Sequence, residues 1–243
     1  MLLTCFSGAN EAPYNRKVQA TVGNGVLGHI EAGIQAQRAA GHRSYNPAYV
    51  FVVDTKKQRM YVLGRRKGEL VIDIPCGTGK KGLGFEDGQT PTGFFTMGGV
   101  RIAKDGDTSI QTGDTKKGVS GIYAEILFPP SYPDLKLRGS VPNGVVIHSY
   151  NPQVSGMLRE RRAKRLIGKV PCTTGCPVPE LEDVKKLIPY LKASAGPFDA
   201  GARPNAALRS LIRQGKVKQY ASKQLGAAIF IMGPPTRPPA DFK

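Results

Sequence analysis

The stretch from Tyr49 to Pro75 constrains the fold more than any other. Tyr49–Asp54 is rich in Val, Thr55–Gln58 is polar, Arg59–Leu63 is apolar again, Gly64–Gly68 carries turn residues, and Glu69–Pro75 is a third apolar run. Short β-branched and aromatic runs divided by tight polar turns are the pattern of an antiparallel meander. Further strands are predicted from Phe94, over Tyr123–Phe128, over Val145–His148 and over Ala227–Met232. Helical spacing occurs at 26–40, at 180–193 and at 206–212, with a weaker helical face at 150–170. Residues 1–25 show no clear period, and 100–121 reads as a polar, Gly-rich loop. The sequence therefore predicts a mainly β fold with peripheral helices.

Three parts follow from this reading. Residues 1–45 form an N-terminal extension with a short helix. Residues 46–233 form the main domain, with a helical insertion at about 194–225, and 234–243 is a Pro-rich tail. The Gly77–Gly84 segment lacks the order of a phosphate loop and is read as a surface loop.

One region concentrates reactive side chains. The apolar run Val145-Val146-Ile147 ends at His148-Ser149, and a later turn, Pro171-Cys172-Thr173-Thr174-Gly175-Cys176, delivers a cysteine. A thiol needs a base or a positive neighbour to become a thiolate near neutral pH, and imidazole titrates in the useful range. Cys176 is thus the candidate nucleophile and His148 the candidate base, provided the fold unites them. Gly175 suits a tight bend whose N–H groups could face an oxyanion. His29 and His42 have no partner motif and read as surface or capping side chains.

Charge narrows the partners. Lys and Arg outnumber Asp and Glu by 35 to 18, a net charge of +17. Such a field favours polyanionic partners (nucleic acid, an anionic membrane surface or an acidic cell-wall polymer), and its sign alone does not choose among them. The run Arg159, Arg161, Arg162, Lys164, Arg165 and Lys169 is the most basic patch. Four cysteines are too few for a disulfide scaffold at this length, and no second close Cys/His pair completes a zinc site. No metal or other cofactor is implied. No apolar run approaches the roughly 20 residues that span a bilayer, and no export signal is visible at Met1–Cys5.

Three separated motifs together resemble the catalytic domain of the L,D-transpeptidases (YkuD-like), the cysteine enzymes that remodel peptidoglycan. They are Thr90-Pro91-Thr92-Gly93-Phe94, Ile147-His148-Ser149 and Thr173-Thr174-Gly175-Cys176. Cys176-Pro177-Val178-Pro179 looks most like the murein-transpeptidase branch with Pro after the Cys. Thr174 stands where the family commonly has His, and 28 residues separate His148 from Cys176, more than is usual.

The resemblance implies a β-sandwich or barrel with the Cys turn between a strand and a helix. It implies that Cys176 attacks a stem tetrapeptide, releases D-Ala and passes the acyl group to an amine. Water as acceptor would make an L,D-carboxypeptidase, and a D-amino acid would give exchange. By the same resemblance Ser149 orients His148 through its carbonyl, and the N–H groups of Gly175 and Cys176, with Thr174, form an oxyanion hole. Thr173, Arg159, Arg165 and Lys169 are the substrate contacts expected for a stem peptide with free carboxylates. The expected place of action is the periplasm or cell envelope, with delivery as a toxin into a rival's envelope as a second route. Nucleic acid is not an expected partner, and oligomeric state is left open. Cys172 either packs as a small buried residue or caps Cys176 in a reversible disulfide. The alternative from a different class is a basic module that binds cell-wall polymer with a degenerate site.

Overall fold

The computed structural model describes residues 14–79, 90–114, 119–127, 145–150, 167–169, 173, 175–180, 182–199 and 203–233. Among the described residues nine strands form one sheet: β1 (Tyr49–Asp54), β2 (Arg59–Gly64), β3 (Glu69–Gly77), β4 (Gly93–Ala103), β5 (Val119–Leu127), β6 (Val146–Tyr150), β7 (Val178–Pro179), β8 (Val217–Tyr220) and β9 (Ala228–Met232). The order is β6-β5-β4-β9-β1-β2-β3-β7, and β8 also pairs with β4. β1 and β9 are parallel, while the other pairs are antiparallel. The two ends of this path meet where the His148 N–H donates to the Pro177 carbonyl at 3.3 Å, so the sheet is nearly closed, like a barrel.

The central strands are buried on both faces, which explains why Tyr49–Asp54 lacks alternation. Phe51, Val53, Met60 and Val62 face an inner core shared with Ile102, Ile122 and Ile147. Helix α3 (Val184–Ala193) packs Val184, Leu187 and Leu191 into that core. Val50, Val52, Tyr61 and Leu63 face the other way, onto α1 (Arg16–Val22) and α2 (Asn24–Ala39). Ile30 and Ile34 of α2 are fully enclosed there. Gly33 lies so close to Phe94 that a Cβ would stand 2.2 Å from its ring. Arg65 forks onto Glu31 at 2.7 and 3.1 Å and fastens α2 to the end of β2. Residues 14–45 thus contribute one whole wall of the outer core.

Several boundaries differ from the sequence reading. Arg16–Val22 is helical although only Val18 and Val22 supply an apolar pair. β4 continues to Ala103 and β5 begins at Val119, so the two ends of 100–121 are strand. His148 is the middle residue of β6, not its last. The helix expected from Glu180 starts at Val184, and the short β7 precedes it. The 194–225 segment holds α4 (Ala206–Arg213) and also β8, which joins the sheet against β4. The basic patch up to Lys164, the loop at 80–89 and the tail from 234 lie outside the described residues.

Candidate active site

His148 enters the site from β6, next to a bulge in β5 between Ser120 and Tyr123. Ser149 plugs that bulge. Its hydroxyl donates to the Ser120 carbonyl and accepts from the Ile122 N–H at 3.2 Å. Gly121, at φ +75°, leaves room for it, since a Cβ there would stand 2.8 Å from the Ser149 Oγ. The Ser149 carbonyl lies 2.6 Å from His148 Nδ1. A carbonyl can only accept, so Nδ1 carries the proton and Nε2 presents a lone pair. Sequence reasoning anticipated the carbonyl; the hydroxyl's part in the bulge had no sequence signal beyond a small polar residue.

The cysteine turn is fixed by Thr173. Its hydroxyl accepts from the Gly175 N–H at 3.2 Å and donates to the Cys176 carbonyl at 2.7 Å. Gly175 sits at φ +118°, a region that a side chain disfavours. The Thr173 hydroxyl, expected to contact substrate, is therefore engaged within the turn. The Gly175 N–H, expected in an oxyanion hole, is already bonded to it.

Strand β3 braces the turn from the other side. The Thr173 N–H donates to the Thr78 carbonyl at 3.0 Å, and Thr173 bridges Gly79. Thr90, from the Thr-Pro-Thr-Gly motif, accepts the Gly79 N–H at 2.7 Å. Gln58 locks the same strand end: its carbonyl takes the Cys76 N–H at 2.9 Å and its side chain bonds Thr78 at 2.5 and 3.0 Å. Sequence reasoning placed Gln58 in a polar turn, yet it is 1 % exposed and holds a left-handed φ of 55°. Its signal was only a Gln closing a run of polar residues. Two of the sequence motifs thus converge through a frame of backbone bonds.

Closure of the sheet brings Cys176 to β6. Its half-buried side chain packs beside Ile167 and Val178, and its thiol is hydrogen-bonded by the backbone of Val146, two residues before His148 on the same strand. Cys176 thus lies against the strand that carries His148. Enclosure lowers the His148 pKa below its ordinary 6.5, with the Ser149 bond a smaller opposing effect. It raises the Cys176 thiol, with the Val146 bond opposing. Both shifts favour a neutral thiol and a neutral imidazole at rest.

A buried polar cluster lies along the same sheet face. Tyr123 stands opposite His148, and Arg101 opposite Tyr123. The wholly buried Arg101 guanidinium lies between the Tyr123 and Phe198 rings at 4.9 and 4.8 Å, and 3.5 Å from the Asp114 carboxylate. Glu125 accepts from the Asp199 N–H at 3.0 Å and the Tyr123 hydroxyl at 3.3 Å. Burial pushes its pKa up to about 7. None of these residues stood out in the sequence.

Of the remaining expected contacts, Lys169 is exposed, two residues beyond the buried Ile167. Thr174, Arg159, Arg165 and Cys172 lie outside the described residues, and with Cys172 the proposed disulfide. Among the described residues no group of three His, Cys, Asp or Glu side chains could hold a metal ion, and no helix is long and apolar enough to cross a membrane.

A nearly closed sheet whose seam joins a histidine strand to a cysteine turn defines the class of domain. The sequence profile of the YkuD family, the L,D-transpeptidase catalytic domain, matches residues 48–218. The chain belongs to that family. No curated protein matches it. Solved structures similar to it include an L,D-transpeptidase from Mycobacterium smegmatis, at 13% identity and TM-score 0.39, covering 76% of this chain and 59% of that one. L,D-transpeptidase 3 from Mycobacterium tuberculosis, in complex with a faropenem-derived adduct, has 13% identity and TM-score 0.38, covering 77% and 61%. Bd1075 of Bdellovibrio bacteriovorus has 18% identity and TM-score 0.39, covering 76% and 48%. The chain thus spans about three-fifths of the first of these, and its family rests on the profile match.

Proposed function

We propose that the chain is a cysteine-dependent peptidoglycan L,D-transpeptidase acting on stem tetrapeptides. The observation that carries this reading is the seam itself: the His148 N–H on the Pro177 carbonyl, with the Cys176 thiol at the Val146 backbone. His148 Nε2 takes the thiol proton as Cys176 Sγ attacks the carbonyl of the third, diamino-acid residue. The C–N bond to the terminal D-Ala breaks, the imidazolium returns its proton to the leaving amine, and a thioester remains on Cys176. An incoming amine attacks that thioester, gives its proton to His148 and restores the thiol.

Ser149 acts as positioning residue, since its carbonyl holds the Nδ1 tautomer that exposes Nε2. The Cys176 N–H is the principal oxyanion donor in this reading, with Thr174 beside it, because the Gly175 N–H serves the Thr173 hydroxyl. Arg159, Arg165 and Lys169 are assigned to stem carboxylates, and cell-wall polymer is the partner, which places the protein in the periplasm or cell envelope. Water as acceptor makes the same site an L,D-carboxypeptidase. Incubation with disaccharide–tetrapeptide and mass analysis of the products tests the assignment. A cross-linked dimer with loss of D-Ala is expected; tripeptide alone selects the carboxypeptidase; unchanged substrate from folded protein would overturn both.

A further inference from the structure

A cleft of about 860 Å³ opens where the 41–48 loop, the end of α3 and the 219–227 connection meet. It belongs to neither the Cys176 turn nor the Arg101 cluster. Gln219 lines it and stands opposite Arg101, which leads through Tyr123 to His148. Three interstrand steps of about 4.8 Å put it about 14 Å from the histidine strand.

Two features give the cleft a chemistry. Its described lining includes Arg43, Lys192 and Lys223 and no Asp or Glu. Lys192 lies 5.4 Å over the Tyr220 ring, which holds its charge at the wall. Second, Tyr45 and Ser194 line the cleft at 6% and 5% exposure, and among the described residues neither hydroxyl has a hydrogen-bond partner. Leaving a buried hydroxyl unpaired is costly, so two beneath one cleft point to a hydrogen-bonding ligand that reaches them. The floor is fixed: Gly196 and Gly226 pack backbone to backbone, and Ala227 N–H bonds the Ser194 carbonyl at 3.0 Å. Lys192 also sits in the last turn of α3, whose dipole it offsets. That role explains Lys192 and leaves Lys223 and the two hydroxyls without one.

We propose that this cleft is a second binding site, for a carboxylate-bearing stretch of the saccharide–peptide polymer on which the Cys176 site acts, and so rests on the function proposed above. Cations take the carboxylates, while the hydroxyls both donate to them and accept from sugar O–H or amide N–H groups. The volume suits several units of a chain and not a lone ion.

The test uses the full chain carrying Cys176→Ala and soluble glycan strands bearing tetrapeptides. Adding Arg43→Glu and Lys223→Glu is expected to weaken strand binding about tenfold at low salt, and Tyr45→Phe about threefold. With Cys176 intact, the double reversal is expected to raise KM for strands and leave kcat/KM for a single disaccharide–tetrapeptide within about twofold. Strand affinity unchanged in the double reversal would overturn the proposal. Poly(glycerol phosphate) is expected to bind more weakly than the strands, and equal binding would overturn the assignment to carboxylates. Strand binding that responds to the reversals without any turnover would sink the proposed function and keep the cleft. Turnover without a binding difference would do the reverse.

Discussion

Replacing Glu125 with Gln isolates the electrostatics of the buried cluster. Glu125 is 4% exposed, and its pKa is raised from 4.5 to about 7. Burial is the largest cause; the Asp199 N–H, Arg101 and the Tyr123 hydroxyl oppose it, and the Asp199 charge adds to it. Between these two pH values the folded chain keeps a proton that the unfolded chain has released. Stability from this group is therefore fully present below pH 4.5 and is lost as pH rises through about 7. At about 1.4 kcal/mol per pH unit the loss amounts to about 3 kcal/mol. Gln imitates the protonated form, donating to the Tyr123 oxygen and accepting from Asp199, and does not titrate. Urea unfolding followed by circular dichroism at several pH values measures the difference between variant and wild type. That subtraction removes His148, whose lowered pKa acts in the opposite sense below pH 6.5. The variant's advantage is expected to grow by about 3 kcal/mol from pH 4.5 to pH 8, about 1 M in urea midpoint. A difference that stays constant with pH would refute the reasoning and show Glu125 ionised throughout, held by Arg101.

Other outcomes follow from single contacts. Gly99→Ala drives a Cβ to 2.1 Å from the Phe198 ring that covers Arg101, and is expected to cost about 1–3 kcal/mol in urea unfolding. Gly175→Ala puts a side chain at φ +118° in the turn before Cys176. Turnover of disaccharide–tetrapeptide should fall at least about tenfold while the unfolding midpoint moves little, because strain of about 1–3 kcal/mol is relieved by moving the turn. Since enclosure lowers the His148 pKa, the acid limb of a kcat/KM profile against pH is expected below 6.5, and a limb above 7 would contradict His148 as the base.

The meander was legible because its turns are marked by Thr55–Gln58 and Gly64–Gly68 and its strands by β-branched runs; β1 and β2 begin at the expected residues. What sequence could not show was long-range compensation. Arg101 argues against a buried strand until Tyr123, Phe198 and Asp114 surround it, so the last four residues of β4 read as loop. Ser149 resembles a turn residue but fills a bulge, so β6 extended past His148. Val217–Tyr220 holds two long polar side chains in four residues and is a strand only because β4 offers it an edge. The site was read through Cys176, His148 and the small residues beside them. The frame beneath it, Gln58 with Thr78 and Thr90 with Gly79, is made of common polar residues whose meaning depends on what they meet.

The central claim is that Cys176 forms the thioester with His148 as its base. Intact-protein mass spectrometry after rapid quenching with disaccharide–tetrapeptide tests it most directly. The wild type is expected to gain the mass of the substrate less D-Ala, mapped by digestion to Cys176. His148→Ala should form the adduct at least about a hundredfold more slowly, and Cys176→Ala should form none. An adduct on another residue, or equal adduct in the His148 variant, would contradict the account.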